Sequence, residues 1–237
     1  PNNPSGAVYP RELLQQIVDI AERHRLVLMV DEIYDGLLYD DAEFVPLASL
    51  AGDLPCLSFG GLSKVHRACG YRAGWVVLSG DRSRTTEYHH ALDLLGALRL
   101  CANVPAQWAI PAALTGPDTV SGLTCKGGRL YESRQAIVDA CARSQRLSVV
   151  APKGSMFAFP GIDTHDLPGF DDYQFALQLL EVDGVLIVPG SSFNVPYRNH
   201  FRVTLLPSAE VMGEVFERIE AALQRVQSSV RRVVSAA

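Results

Sequence analysis

The chain has 237 residues, 48% of them apolar and 20% charged, the mix of an ordinary globular fold rather than of a disordered or coiled-coil one. Its 21 basic and 26 acidic side chains leave a net charge of −5, so no basic field invites nucleic acid or an anionic membrane surface. Apolar runs such as 26–30 are far too short to span a bilayer, and five cysteines with no CxxC pair fit thiols kept free in a reducing cytoplasm.

The chain opens on Pro1-Asn2-Asn3-Pro4-Ser5-Gly6, a turn-forming cluster of the kind that connects two elements, so an element is expected before it. Pro10 then suits a helix's first turn, where its missing N–H costs nothing. Leu13, Leu14, Ile17, Val18 and Ala21 recur at helical spacing up to His24-Arg25. Residues 26–30 form a short apolar run that reads as a strand buried on both faces of a parallel sheet, with Asp31 directly after it. Residues 56–59 predict a second strand, leading into Gly60-Gly61-Leu62-Ser63-Lys64, and 75–78 a third. Helix and strand alternating in this way predict an α/β layer fold with a mostly parallel sheet. Ligands in such sheets gather beyond the carboxyl ends of the strands, where both Asp31 and Lys64 fall.

From 86 to 114 the pattern is helical, interrupted at Asn103-Val104-Pro105. A helix over 128–144 follows, then short strands near 148–151 and 155–159, a helix near 172–180, and strands near 185–188 and 201–205. A last helix starts at Ser208, a good N-cap, with Val211, Val215, Phe216, Ile219 and Leu223 as its apolar stripe; its end frays near Arg231-Arg232. This half reads as a smaller α+β unit. The expected division is 1–116 for a large domain and 117–237 for a small one, with the boundary near Thr115-Gly116-Pro117-Asp118.

Lys64 is the centre of the chemical reading. A lysine on a short tether after a buried strand and a Gly-Gly-Leu-Ser turn suits Schiff-base chemistry, since burial and positive neighbours lower an amine's pKa. Arg72, eight residues on, offers a planar guanidinium that grips phosphate bidentately. Asp31 is either a turn residue or a charge aimed at a ligand cation, and Glu32 beside it reads as a structural partner. Tyr34 is either a packing tyrosine or a phenol at the same crevice. Asn3 suits an ordinary turn. Arg202, among apolar strand residues, needs an anionic partner if buried or solvent if its strand lies at an edge. The adjacent His89-His90 pair lacks convincing ligand partners, so no metal is expected.

Four blocks then fit together: NNPSG (2–6), DEIYDGLLY (31–39), GLSKVHRACGYRAGW (61–75) and HFRVTLLP (200–207). In order and spacing they resemble the class I/II aminotransferases, pyridoxal-phosphate enzymes of fold type I. RLCANVPAQ (99–107) with DEIYDGLLYDDAEF brings the sequence nearest to the bacterial alanine (glutamate–pyruvate) aminotransferases. The resemblance runs from Pro1 to about Val226. It implies that Lys64 forms the Schiff base with pyridoxal 5′-phosphate and shuttles the substrate proton, and that Asp31 pairs with the ring nitrogen. By the same resemblance Tyr34 and Asn3 bond the cofactor's phenolic oxygen, Ser63 and Arg72 hold its phosphate, and Arg202, with Asn3, binds the substrate carboxylate.

The resemblance further implies a cytoplasmic homodimer acting on an amino acid and a 2-oxo acid by ping-pong chemistry. Two departures stand out. Where many relatives carry a phosphate-binding serine, this chain has Gly61. Family members also carry a segment before NNPSG that completes the sheet and stacks on the cofactor ring, so the isolated chain is expected to be inactive. The readings set against amino transfer are a pyridoxal-phosphate C–S β-lyase and a cofactor-sensing regulatory module.

Overall fold

A computed structural model describes residues 1–235. The chain divides into two compact units, one of Pro1 with Val8–Ser121, the other of Asn2–Ala7 with the chain from Gly122 onward. The front turn sits with the second unit because the Lys153 and Gly154 N–H groups both donate to the Gly6 carbonyl, each at 2.9 Å. Gly6 has φ +70, and a Cβ there would lie 2.5 Å from Pro152 Cβ. Only glycine fits that approach.

In the first unit, α1 (Arg11–His24) follows Pro10, which stands just outside the helix at φ −68. Arg25, at φ 53, closes it by donating back to carbonyls of its last turn. Leu14, Val18 and Ala21 form the buried stripe of α1 and pack with Leu28, Leu47, Leu54 and Cys56. Strand β1 (Leu28–Asp31) pairs in parallel with β2 (Cys56–Gly61), while β3 (Gly74–Ser79) runs antiparallel to β2. The parallel expectation holds at β1–β2. β3 turns back because only residues 62–73 join it to β2, with no crossover helix between them.

Two readings of β1 need correction. The strand starts at Leu28 rather than Leu26, because the Leu26 N–H donates to the Ala21 carbonyl at 2.8 Å and completes the helix cap. Nor is β1 buried on both faces: Leu28 and Val30 join the α1 cluster, but Met29 is 65% exposed. After β3 come α2 (Arg82–Arg99), α3 (Val104–Gln107) and α4 (Ala109–Thr115). Asp81 caps α2, its Oδ1 accepting the Ser83 N–H at 2.9 Å.

The next elements are α5 (Ser121–Thr124), α6 (Arg129–Arg143), β4 (Leu147–Ser148), β5 (Phe157–Ala158), β6 (Gly161–Ile162), α7 (Asp172–Asp183), β7 (Val188–Pro189), β8 (Phe201–Thr204) and α8 (Ala209–Ser235). Ser208 caps α8, its Oγ accepting the Val211 N–H at 3.3 Å. The α8 backbone stays helical to Ser235, past the point where the sequence suggested fraying. Ile137 and Cys141 of α6 and Phe216, Ile219 and Leu223 of α8 are buried where these two helices pack. Each such side chain contributes roughly 1.5–3 kcal/mol. β8 lies between β5 and β7, antiparallel to both, and this small sheet places Arg202. β6, too short to read from periodicity, pairs with β4.

Candidate active site

In the first unit the carboxyl ends of β1 and β2 open into a cleft of about 540 Å³ lined by Asp31, Tyr34, Ser63, Lys64 and Arg72, with Ile33, Phe59, Gly60 and Cys69 completing the wall. Asp31 is the last residue of β1; its Oδ1 accepts the Ile33 N–H at 3.1 Å, which fixes the carboxylate at the strand end. Glu32 turns away to structural work, its Oε1 accepting the Leu47 N–H at 2.9 Å. Tyr34 is buried, and the Lys64 ammonium lies 5.9 Å from the centre of its ring.

The loop carrying Lys64 is closed on itself. The Ala68 N–H donates to the Leu62 carbonyl at 2.9 Å, the Arg67 N–H to the Lys64 carbonyl at 3.0 Å, and the Leu62 N–H to the Ala73 carbonyl at 3.1 Å. These bonds hold the lysine on a short frame between two strands, which limits the reach of its amine. Arg67 and Arg72 both adopt left-handed backbone, a cost of roughly 1–2 kcal/mol for each such residue. At Arg72 that turn lets the guanidinium fold back, Nη1 donating to the Cys69 carbonyl at 2.8 Å, and the remaining N–H groups of the fork serve an anion well. Gly61 ends β2 opposite Gly74. A Cβ at Gly61 would meet the Ala73 carbonyl oxygen, Gly74 Cα and Ile33 Cδ1, all at 3.2 Å, so a serine there would press on the strand pair.

In the second unit Asn3 and Arg202 come together. Arg202 Nη1 donates to Asn3 Oδ1 at 2.8 Å. Its guanidinium carbon also lies 4.3 Å from the centre of the Phe157 ring and 5.0 Å from that of Phe193. A cation held against aromatic faces keeps its charge while losing freedom to rotate. That suits recognition of a carboxylate.

Thus the structure brings together Asp31, Tyr34, Ser63, Lys64 and Arg72 in one unit, and Asn3 with Arg202 in the other. Sequence reasoning missed Phe59 and Cys69 in the cleft, and Phe157 and Phe193 beside Arg202. Phe59 was findable, since it stands at the carboxyl end of a predicted strand. The two phenylalanines beside Arg202 carry no local signal, because their positions depend on how β5 and β7 flank β8. A larger groove of about 920 Å³ in the second unit is lined by Arg146, Asp166, Glu217 and Glu220 among others. There Arg146 and Asp166 neutralise each other through two bonds of 2.7 and 2.9 Å, and the groove has no lysine. Among the described residues no group of three or more His, Cys, Asp or Glu could hold a metal ion, and no helix is long and apolar enough to cross a membrane.

The donor set fits pyridoxal 5′-phosphate: an amine for its aldehyde, a carboxylate for its ring nitrogen, a phenol for its ring oxygen, and a hydroxyl with a guanidinium for its phosphate. Comparison with known proteins points the same way. Residues 1–219 match the family described as aminotransferase class I and II. The chain is 45% identical over 210 residues to the glutamate-pyruvate aminotransferase AlaA of Escherichia coli (strain K12), covering 89% of this chain and 52% of that protein. It is 43% identical over 219 residues to the alanine aminotransferase of Mycobacterium tuberculosis (strain ATCC 25618 / H37Rv), covering 92% and 51%. Among solved structures, an aminotransferase from Escherichia coli superposes with a TM-score of 0.88 at 43% identity, over 96% of this chain and 55% of that one. The alanine aminotransferase from Pyrococcus furiosus gives 0.88 at 35%, over 95% and 56%. The chain spans about half the length of these relatives.

Proposed function

Since this chain belongs to the class I and II aminotransferases, a family of fold type I, we propose that the protein moves an amino group between an L-amino acid and a 2-oxo acid with pyridoxal 5′-phosphate as cofactor. Alanine with pyruvate and glutamate with 2-oxoglutarate are the proposed pairs, supported by the names of the relatives. The observation that carries the reading is the cleft that gathers Asp31, Tyr34, Ser63, Lys64 and Arg72 beyond two strand ends.

When bound, the cofactor supplies an aldehyde for amines and a ring that takes up the electron pair left at the substrate Cα. The rest is the protein's work. The Lys64 amine would anchor the cofactor and, once freed, its Nζ would take the substrate Cα proton as a base and return a proton as an acid. The Asp31 carboxylate holds a proton on the ring nitrogen. The Tyr34 hydroxyl would donate to the ring oxygen. Ser63 Oγ and the Arg72 fork would hold the phosphate dianion and so fix the cofactor's position. Arg202, steadied by Asn3, grips the carboxylate that both the amino acid and the 2-oxo acid carry, so one grip serves both half-reactions. The first unit thus corresponds to part of the cofactor-binding large domain and the second to the small domain.

We further assign the working state as a cytoplasmic homodimer. Free thiols support the compartment. Leu95, Leu98, Leu100 and Trp108, 62–86% exposed, are apolar side chains that a second copy would cover. The test is a coupled assay for pyruvate from L-alanine and 2-oxoglutarate. Pyruvate that depends on 2-oxoglutarate supports amino transfer, whereas pyruvate released from L-cystathionine together with ammonia, without a 2-oxo acid, would favour the C–S β-lyase instead.

A further inference from the structure

Arg202 carries its own fork, yet a guanidinium on a flexible side chain grips a carboxylate only when its plane is fixed. Two aromatic rings lie against it, and they differ in how they are held. Phe157 belongs to β5, hydrogen-bonded next to β8, so its place follows from the sheet. Phe193 ends the tight turn over Gly190–Phe193, outside the sheet, and needs separate restraint.

That restraint is present on both sides. Asp172, 2% exposed in the first turn of α7, accepts the Ser191 N–H through Oδ2 at 2.7 Å, and the Gly190 N–H donates to the His200 carbonyl at 2.7 Å. Asn194 then leaves the turn in left-handed backbone at φ 55. The Phe193 ring itself meets Phe159 edge to face, with centroids 5.8 Å apart and planes at 88°, an arrangement aromatic quadrupoles favour. A buried carboxylate is costly to keep. This one sits in the first turn of α7, where the helix dipole favours it, and fixes the turn that carries Phe193.

We propose that Phe193 is a positioning residue: its ring, locked by Phe159 and by the turn that Asp172 anchors, holds the Arg202 guanidinium in the plane from which it grips a substrate carboxylate. This rests on the reading of Arg202 as the carboxylate grip. It adds a determinant of substrate affinity that lies 9 residues before Arg202 in the sequence.

The test is an NMR titration of the full chain with pyruvate as the carboxylate probe, following the Arg202 Nε–H signal, which Arg202→Lys deletes and so assigns. In the wild type and in Phe193→Tyr the signal carries a ring-current shift and moves on binding. In Phe193→Leu the Phe193 part of that shift is lost, the Phe157 part remaining, and the Kd for pyruvate rises about fivefold or more, while backbone amides away from the turn stay in place. Should Phe193→Leu unfold, Phe193→Met, which fills the volume without a ring, gives the same comparison. If Arg202→Lys abolishes binding but the ringless variants keep the wild-type Kd, the positioning role is overturned and the carboxylate reading stands. If pyruvate leaves the Arg202 signal unmoved, or Arg202→Lys binds as the wild type does, the carboxylate reading itself is wrong and the role of Phe193 falls with it.

Discussion

Asn3 and Arg202 stand 199 positions apart in the chain, yet Arg202 Nη1 donates to Asn3 Oδ1 at 2.8 Å. The pairing ties the front turn to β8 and sets a neutral amide oxygen against the guanidinium. Asn3→Ala removes an acceptor from a charged donor and is expected to raise KM for L-alanine roughly tenfold. Asn3→Asp is expected to do more harm, because its carboxylate would occupy the fork the substrate needs. Steady-state kinetics of both variants check the order.

Lys64 and Asp31 are expected to separate chemistry from folding. Lys64→Ala and Lys64→Arg should each lower amino transfer by about 10²–10⁴-fold or more, since neither can form an imine or accept the Cα proton at neutral pH. Asp31 is exposed and its carboxylate accepts the Ile33 N–H, so Asp31→Asn should lower kcat while thermal unfolding shifts little. A large drop in melting temperature in either set would contradict this division.

The cysteines give a footprint of the cleft. Cys69, Cys101 and Cys125 are exposed, and Cys56 and Cys141 are buried. Burial pushes the Cys141 thiol up to about 12, with the Glu220 carboxylate adding to it. Iodoacetamide at pH 8 should therefore label Cys69, Cys101 and Cys125 first. Because Cys69 lines the same cleft as Lys64, pyridoxal 5′-phosphate should slow Cys69 alone, which peptide mapping reads directly.

His200 makes stability depend on pH. Burial lowers its pKa below the usual 6.5, against the raising influence of the Asp172 carboxylate. As pH falls, the unfolded chain takes the proton first, so the contribution is fully present above pH 6.5 and is lost below it. Urea unfolding at pH 8 and pH 5 should show this loss, and His200→Gln should flatten the difference.

Much of this was legible because the candidate site rests on short spans. NNPSG, the aspartate after a strand, SK with Arg72, and FRV each keep their chemistry within a few residues, and the stripes of α1, α6 and α8 repeat at helical spacing. What could not be read depends on partners distant in sequence. The exposed Met29 face, the antiparallel β3, the two-residue β6 and the docking of Gly6 on Lys153 and Gly154 follow from pairing rather than periodicity. The same holds for the rings around Arg202. Phe157 and Phe193 are 36 residues apart in the sequence and meet the guanidinium only through β8 and the turn over Gly190–Phe193.

The central claim is that Lys64 forms the imine with pyridoxal 5′-phosphate. The chain has three lysines, Lys64, Lys126 and Lys153, so the test is sharp. The protein is incubated with stoichiometric pyridoxal 5′-phosphate, reduced with borohydride, digested and mapped by mass spectrometry. The account predicts one phosphopyridoxyl group per chain, on Lys64, and its disappearance in Lys64→Arg. Label spread evenly over the three lysines, or an unmodified Lys64, would contradict it.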